Sequence, residues 1–461
     1  MADSRSAAVR IARAAPAGIA RSEYARRRAR LIAGLAADSL AIVPAAREQL
    51  RSRDTYFPFR QDSDFLYLTG FSEPEALLVL VPGRPQGEAL LFCRERDAEK
   101  EMWDGPRLGP ERAAEECGLC DAFPIGDLDD ILPGLLEGRA RIYFTMGRFP
   151  QLDRRLQSYL QAIDAAPGSG GSPEMVDLDH LLHDLRLYKS ARELRLMARA
   201  AEISAEAHRR AMARCRPGLY EYQLEAEILH TFVAAGAREP AYPTIVGGGR
   251  NALVMHYCSN SAPLKNGDLV LVDAGCEFRG YAADVTRTYP VNGRFSGAQK
   301  ALYEIVLAGQ LAAIEQIQSG NHWDQPHLAS VEVITRGLVD LGLLRGEVDG
   351  LIESGAYRRF YMHRAGHWLG MDVHDAGDYR VHGQWRQLEA GMAMTVEPGI
   401  YMAADDEQVP EKFRGIGIRI EDDVALTREG PQVLSSAAPK TIADIEYTMR
   451  EGQDLVQEEL W

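Results

Sequence analysis

The sequence predicts a chain of mixed helices and strands in two domains, a small α/β domain followed by a larger mixed one. Three observations carry this. The chain has 461 residues, enough to build more than one core. Short apolar, β-branched runs alternate with helical stretches along most of its length. The run Ala165-Ala166-Pro167-Gly168-Ser169-Gly170-Gly171-Ser172-Pro173 is rich in Gly, Ser and Pro and reads as the break between domains. The expected organisation is an extension over residues 1–20, an N-terminal domain over 21–173 and a C-terminal domain over 174–461.

Taken in order, residues 22–36 have helical spacing and many arginines. Strands are expected at 40–43, 77–81, 90–92 and 140–144, interleaved with helical segments. After the break, Leu194, Met197, Ala201, Ile203 and Ala207 mark a helix over 191–215, stopped by Pro217-Gly218. A second helix is expected over 222–235. Helices then alternate with Val/Ile-rich strands to about residue 430, and the acidic segment 442–461 is helical.

Composition bounds the function. The 52 Lys+Arg against 67 Asp+Glu give a net charge of −15, which disfavours nucleic acid and acidic membranes as partners. No apolar run approaches a membrane span, and the N-terminus has no apolar signal core. Residues 1–20 are Ala/Arg-rich, a composition shared with transit peptides. Nothing else supports import, so an unstructured or helical extension is expected. Six cysteines make no disulfide framework, and Cys117 and Cys120 form a lone CxxC without a second pair for zinc. Reduced thiols and a cytoplasmic setting follow.

The chemistry is concentrated in the C-terminal domain. Residues 267–288 read as a hairpin that carries Asp273 at the end of one strand and Asp284 on the other. With the turn centred between Phe278 and Arg279, the two aspartates face each other directly, and like charges so placed repel. A bound cation would offset the repulsion. An asymmetric loop with both carboxylates solvated fits the hairpin equally well.

Four further stretches hold donors. His363 and His367 are four apart, but Arg364 stands where a zincin needs Glu, and Gly366 weakens a helix. A loop or strand presenting His367 and His374 separately is expected instead. Pro398 holds Glu397 extended. In residues 415–423, Ile416, Ile418 and Ile420 alternate with Gly417, Arg419 and Glu421, a polar face that suits a site. His256 lies just upstream of the hairpin. Gly247-Gly248-Gly249 lacks the ending of a P-loop and reads as a flexible loop. Asp273, Asp284, Glu397 and Glu421 with His367 are too anionic a set for one structural zinc. They suit two divalent ions bridged by carboxylates, with manganese among the preferred metals.

This ordered set resembles the dinuclear-metal pita-bread aminopeptidases, and within them bacterial aminopeptidase P (Xaa-Pro aminopeptidase). The resemblance runs from about Ser22 to about Asp444 and includes residues 56–65, 67–71, 281–288, 367–375 and 414–423. It implies an α+β fold, a pita-bread catalytic domain preceded by a smaller α/β domain. It implies that Asp273 chelates one metal, that Asp284 and Glu421 bridge both, and that His367 and Glu397 complete the other. His256 and His374 match histidines that bind substrate and stabilise the reacting carbonyl, and His363 matches another that borders the site. Tyr401 and Arg419 match polar residues beside the metals. Trp103 matches a tryptophan that reaches a neighbouring subunit's site.

The implied activity is hydrolysis of the N-terminal Xaa-Pro bond through a hydroxide bridging two Mn2+ ions, with Glu397 as proton shuttle. The implied partners are peptides with proline second and further copies of the chain, in a dimer or tetramer. A prolidase would share all five ligands, and a non-catalytic scaffold of the same fold is the alternative of another class. Residues 378–386 depart from the family pattern with an insertion, which leaves open whether Arg380 or Arg386 faces substrate. Residues 319–324 lack the family's proline-glycine and receive no function.

Overall fold

The computed structural model describes residues 18–165 and 171–458, so residues 1–17, 166–170 and 459–461 lie outside the described residues. Two compact units divide between Arg186 and Leu187. The first unit therefore runs past the boundary expected at residue 173. The reason is that strand Glu174–Val176 pairs with Arg141–Tyr143, and the following helix Asp179–Leu187 brings Arg186 to Asp64 at 2.6 Å.

The first unit is built on a six-stranded sheet. Its order is Asp121–Pro124, Ala89–Cys93, Leu77–Leu80, Ser39–Pro44, Arg141–Tyr143 and Glu174–Val176. The strands at 39–44, 77–80 and 89–93 are buried throughout, which is why they read as continuous apolar runs rather than alternating ones. Leu40, Ile42, Val79, Leu90 and Phe92 form its core with Leu128 and Leu132 of helix Leu128–Leu136.

The Arg-rich helix Arg21–Gly34 is partly buried. Arg27 and Arg28 are buried, donating to the carbonyls of Tyr67 (3.0 Å) and Leu68 (2.7 Å) near the end of helix Ser63–Thr69. Arg28 also reaches the carbonyls of Cys117 and Gly118 at the end of helix Gly109–Cys117. Cations at helix C-termini satisfy carbonyls that have no partner within the helix.

The second unit mixes helices and small sheets. Helix Ala191–Arg214 opens on a Ser190/Glu193 capping box, and Glu221–Ala234 follows. Ile245–Gly248, Leu269–Asp273 and Thr286–Pro290 form one antiparallel sheet. Ala393–Val396, Asp422–Thr427 and Gly430–Val433 form another. A terminal helix spans Ile442–Glu458. No helix among the described residues is long and apolar enough to cross a membrane. Cys117 is buried, Cys120 is exposed, and neither is in a disulfide.

The hairpin turns one residue later than expected. Phe278 pairs with Tyr281, so Arg279 and Gly280 are the two turn residues, with φ of 54° and 80°. A tight turn of this twist needs positive φ at both positions, and Gly280 supplies one at no steric cost. The register then sets Asp273 opposite Thr286, not opposite Asp284. Asp284 instead falls opposite Gly275, between the bonds Ala274 N–H to Val285 O and Ala283 N–H to Cys276 O. A Cβ on Gly275 would lie 1.8 Å from the Ala283 carbonyl oxygen. The two aspartates are thus diagonal neighbours on one face.

The strand expected over 415–423 is two strands, Gly417–Arg419 and Asp422–Thr427, paired with Gly399–Tyr401 and Ala393–Val396 respectively. Both ladders keep one register, broken at Pro398, whose missing N–H removes a rung. Glu397 and Glu421 sit at that break.

Candidate metal centre

Three segments converge. Residues 365–369 lie along strand Ala393–Val396: the Thr395 N–H donates to the His367 carbonyl at 2.9 Å and the Glu397 N–H to the Ala365 carbonyl at 2.8 Å. Gly366 permits this approach, because a Cβ there would lie 2.1 Å from the Thr395 carbonyl oxygen. No helix forms through His363 and His367. One donor atom from each of Asp284, His367 and Glu421 lies within 4.8 Å of the others. His367 Nε2 is 3.3 Å from Asp284 Oδ2 and 3.5 Å from Glu397 Oε1. The other imidazole nitrogen, Nδ1, lies 3.0 Å from the Trp368 carbonyl, which leaves Nε2 to face the carboxylates.

Asp273 joins this group from one side. Tyr242 donates its hydroxyl to Oδ1 at 2.6 Å, and Arg419 donates to Oδ2 at 2.5 Å. Thr286 donates to Glu421 at 2.6 Å and Thr395 to Glu397 at 3.2 Å. The Asp284 amide is held by the Asp423 carboxylate at 3.1 and 3.2 Å. Behind Glu421, the fully buried Arg287 pairs with Asp422 at 2.7 Å, and Lys440 reaches the same carboxylate at 2.7 Å. Burial alone would raise the Asp422 carboxyl, but Arg287 and Lys440 hold it below the usual carboxylate range.

The electrostatics of the pocket call for a cation. Burial first, then Asp284 and the other carboxylates, pushes Glu421 well above the ordinary range. Burial and Asp284 push Glu397 up to about 7 despite His367. Asp273 is raised by burial, with Arg419 opposing and Asp284 adding. Burial would lower His367, yet its bond to Asp284 and the Glu397 charge push it up to about 9. Acids resisting charge around an imidazole gaining it describe a desolvated anionic site whose natural counter-ion is a metal. Oxygen donors outnumber nitrogen by four to one in the set Asp273, Asp284, Glu397, Glu421 and His367. That chemistry fits hard divalent ions.

The remaining expected residues take distinct places. Arg419 donates to Tyr401 at 3.1 Å, and the Tyr401 hydroxyl lies 3.0 Å from His363 Nε2, so Asp273, Arg419, Tyr401 and His363 form one polar chain. The His374 ring is 4.1 Å from the His367 ring. Burial, then the charges of His367 and His256, lower its affinity for a proton. His256 lies on an exposed segment. Trp103 is in the first unit, on helix Ala98–Asp104, and is 82% exposed. Arg386 is buried and donates to the Asp378 carbonyl at 2.7 Å, whereas Arg380 is exposed.

Sequence reasoning missed several supports. Thr286 and Thr395 lie two residues from Asp284 and Glu397, so strand alternation could have placed them on the same face. Tyr242, Asp423 and Arg287 carry no local signal. Lys189 and Asp375 form a pair at 2.9 Å with both side chains almost fully buried, anchoring the loop next to His374. The buried His208 Nε2 lies 3.0 Å from the Ala274 carbonyl, beside Asp273. A second close group, Asp64, Asp179 and His183 in the first unit, is a different case. Asp64 already pairs with Arg186 at 2.6 Å and Arg148 at 2.9 Å, so its charge is met by protein.

Comparison with known proteins places this geometry. Residues 195–428 match metallopeptidase family M24, and residues 24–143 match the N-terminal domain of aminopeptidase P. The chain is 44% identical to the Xaa-Pro aminopeptidase of Haemophilus influenzae, over 94% of this chain and 98% of that protein. The structure of Pseudomonas aeruginosa aminopeptidase PepP is similar with a TM-score of 0.93 and 58% identity, covering 95% of this chain and 99% of that one. Zinc-substituted Escherichia coli aminopeptidase P in complex with product matches with a TM-score of 0.91 and 44% identity, covering 95% and 99%.

Proposed function

Because this chain belongs to metallopeptidase family M24 and carries the aminopeptidase P N-terminal domain, we propose that it is an Xaa-Pro aminopeptidase. It hydrolyses the first peptide bond of peptides whose second residue is proline. The observation that carries this reading is the convergence of Asp284, His367 and Glu421 in a chain that matches Xaa-Pro aminopeptidases over nearly its whole length. The same match supports an α+β pita-bread catalytic domain behind the smaller N-terminal one.

Two divalent ions, which we assign as manganese, supply an activated water and polarise the scissile carbonyl when bound. Asp284 and Glu421 would hold both ions, Asp273 one, and His367 with Glu397 the other. His367 is oriented for this by its bond to Trp368. The pocket carboxylates also attract the free amino group of a peptide. Glu397, at the edge of the donor set, would carry a proton toward the leaving proline nitrogen. His374, beside His367 and disposed to stay neutral, faces the carbonyl that gains negative charge, with His256 nearby. Arg419 holds Asp273 in place, and Tyr401 links it to His363 at the border of the site.

The exposed Met102 and Trp103, at 81% and 82%, support a homo-oligomer, a dimer or tetramer, in which Trp103 meets another subunit. The unpaired thiols support a reducing, cytoplasmic setting. The test is release of the first residue from an Xaa-Pro-Xaa tripeptide by manganese-loaded protein. Release from tripeptides and longer substrates is expected. Cleavage of Xaa-Pro dipeptides alone would make the enzyme a prolidase, and no hydrolysis with bound manganese would make it a scaffold.

A further inference from the structure

Between Leu253 and Leu269 the chain forms no helix or strand, yet this stretch carries His256. A segment of that kind has to find partners for its polar groups elsewhere in the fold. Many of them meet on one side chain. Glu221 opens helix Glu221–Ala234, is fully buried, and accepts four hydrogen bonds on its carboxylate. Oε1 takes the Gly248 N–H at 2.8 Å and Asn251 Nδ2 at 2.8 Å. Oε2 takes the Tyr257 hydroxyl at 2.9 Å and the Ala262 N–H at 2.8 Å. Two of these donors precede His256 in the chain and two follow it.

Further contacts pin the same segment. Glu221 gives its own N–H to the Ala262 carbonyl at 3.0 Å, and Asn251 Nδ2 also reaches the Tyr257 hydroxyl at 3.0 Å. The buried Asn260 side chain accepts from the Val246 N–H and donates to the Thr244 carbonyl, both at 2.9 Å. Gly247 and Gly248, expected in a flexible loop, lie instead in strand Ile245–Gly248. A Cβ on Gly247 would lie 3.0 Å from the Ala252 nitrogen, and one on Gly248 2.8 Å from Leu264, so the glycines let the segment pack closely. Met255 and Tyr257 pack against the apolar cluster that contains Tyr401, whose hydroxyl meets His363 and Arg419. His256, between them, is exposed, and its charge is felt at His374.

The donor pattern at Glu221 suits a carboxylate and no neutral side chain. A glutamine has one acceptor oxygen, so its NH2 group would face a pair of donors and leave both unmet. An aspartate falls one methylene short. Resting on the aminopeptidase reading, we propose that Glu221 is a positioning residue for the hydrolysis, clamping the chain on both sides of His256 so that the imidazole stays beside His374. None of its four donors belongs to the metal-ligand set, so Glu221 acts on the reaction only through this segment. A displacement of about 1 Å at a group that meets the reacting carbonyl can lower the rate on the order of a hundredfold.

The test is a double-mutant cycle on the full, manganese-loaded chain with Ala-Pro-Ala as substrate. Glu221→Gln should lower kcat/KM by about 10- to 100-fold. Tyr257→Phe removes one of the four donors, keeps the ring, and should lower it by about three- to tenfold. In a His256→Ala background each substitution should cost less than about twofold, because the group it positions is gone. A purely structural role would instead multiply with the loss of His256. Hydrogen exchange reads the clamp without turnover: residues 248–262 should lose protection in Glu221→Gln while strand Leu269–Asp273 keeps it. Melting temperature and metal content check the fold, and Tyr257→Phe carries the cycle and the exchange alone if Glu221→Gln does not fold. Undiminished losses in the His256→Ala background, unchanged kcat/KM in the folded variants, or unchanged protection of 248–262 each overturn the proposal. Absence of turnover by the unmodified protein overturns the aminopeptidase reading instead.

Discussion

Glu397 and Glu421 stand directly opposite one another across the ladder that Pro398 interrupts. Val396 pairs with Asp422 on one side of the break and Gly399 with Arg419 on the other, and both pairs place Glu397 against Glu421. Cross-strand Cβ atoms in such positions lie about 4.5–5.5 Å apart, and like charges there are destabilising. The facing carboxylates expected of the two aspartates are thus realised by the two glutamates. Asp284, Glu397 and Glu421 lie about the His367 imidazole with Asp273 to one side, and their mutual repulsion calls for a further cation beside Arg419.

Glu421→Ala or Asp284→Ala should therefore lose metal along with nearly all peptidase activity. Elemental analysis after gel filtration reads the first and tripeptide hydrolysis the second. Full metal content with full activity in either variant would contradict the two-metal assignment.

His374→Ala should lower turnover while metal content stays near that of the unmodified protein, because His374 contacts the His367 ring rather than the carboxylates. Loss of metal in this variant would make His374 a ligand.

Metal removal should reverse part of the pH dependence of stability. Without the ions, Glu397, Glu421 and Asp273 have folded-state values raised above their unfolded ones. Their contribution is present below the unfolded values and lost as pH rises, through about 7 for Glu397. His367, raised to about 9, loses its contribution in the same direction as pH rises through that value. Chelated protein should melt increasingly below metal-loaded protein between pH 5 and 8. A difference that stays constant over that range would refute this account of the pocket.

Lys189→Ala should destabilise by about 3–5 kcal/mol, because it removes the cation paired with the buried Asp375 carboxylate beside the His374 loop. Replacing both members, Lys189→Met with Asp375→Leu, should cost less than the single change. Denaturant unfolding of the two variants measures the order.

His208 is buried and held neutral, its value lowered to about 4 chiefly by burial and then by Arg287. The unfolded chain binds that proton near 6.5, so stability falls as pH drops from there toward 4, by about 2 kcal/mol between pH 6.5 and 5. His208→Gln should show a shallower loss over that interval. An unchanged slope would assign the acid sensitivity to other groups.

The order Asp273, Asp284, His367, Glu397, Glu421 was legible because each residue ends or interrupts a recognisable apolar run. The strands around 40, 79, 91 and 142 were legible for the same reason. The turn at Arg279-Gly280 was misplaced because two adjacent positive-φ residues with only one glycine leave the centre ambiguous by one residue. The first unit's end was misplaced because a Gly/Ser/Pro run marks a loop, and strand Glu174–Val176 lies beyond it. Tyr242, Asp423 and Lys189 were invisible because they act through contacts far apart in sequence. The burial of Arg27 and Arg28 was not legible because nothing local shows that two helices end against them.

Gly275 has a consequence beyond its own rung. It offers no side-chain donor, yet any side chain there would collide with the Ala283 carbonyl just ahead of Asp284. A survey that counts only donor atoms would class the position as silent. In practice the hairpin accepts only glycine at the seat facing Asp284, so the placing of that carboxylate depends on an atom the chain lacks there.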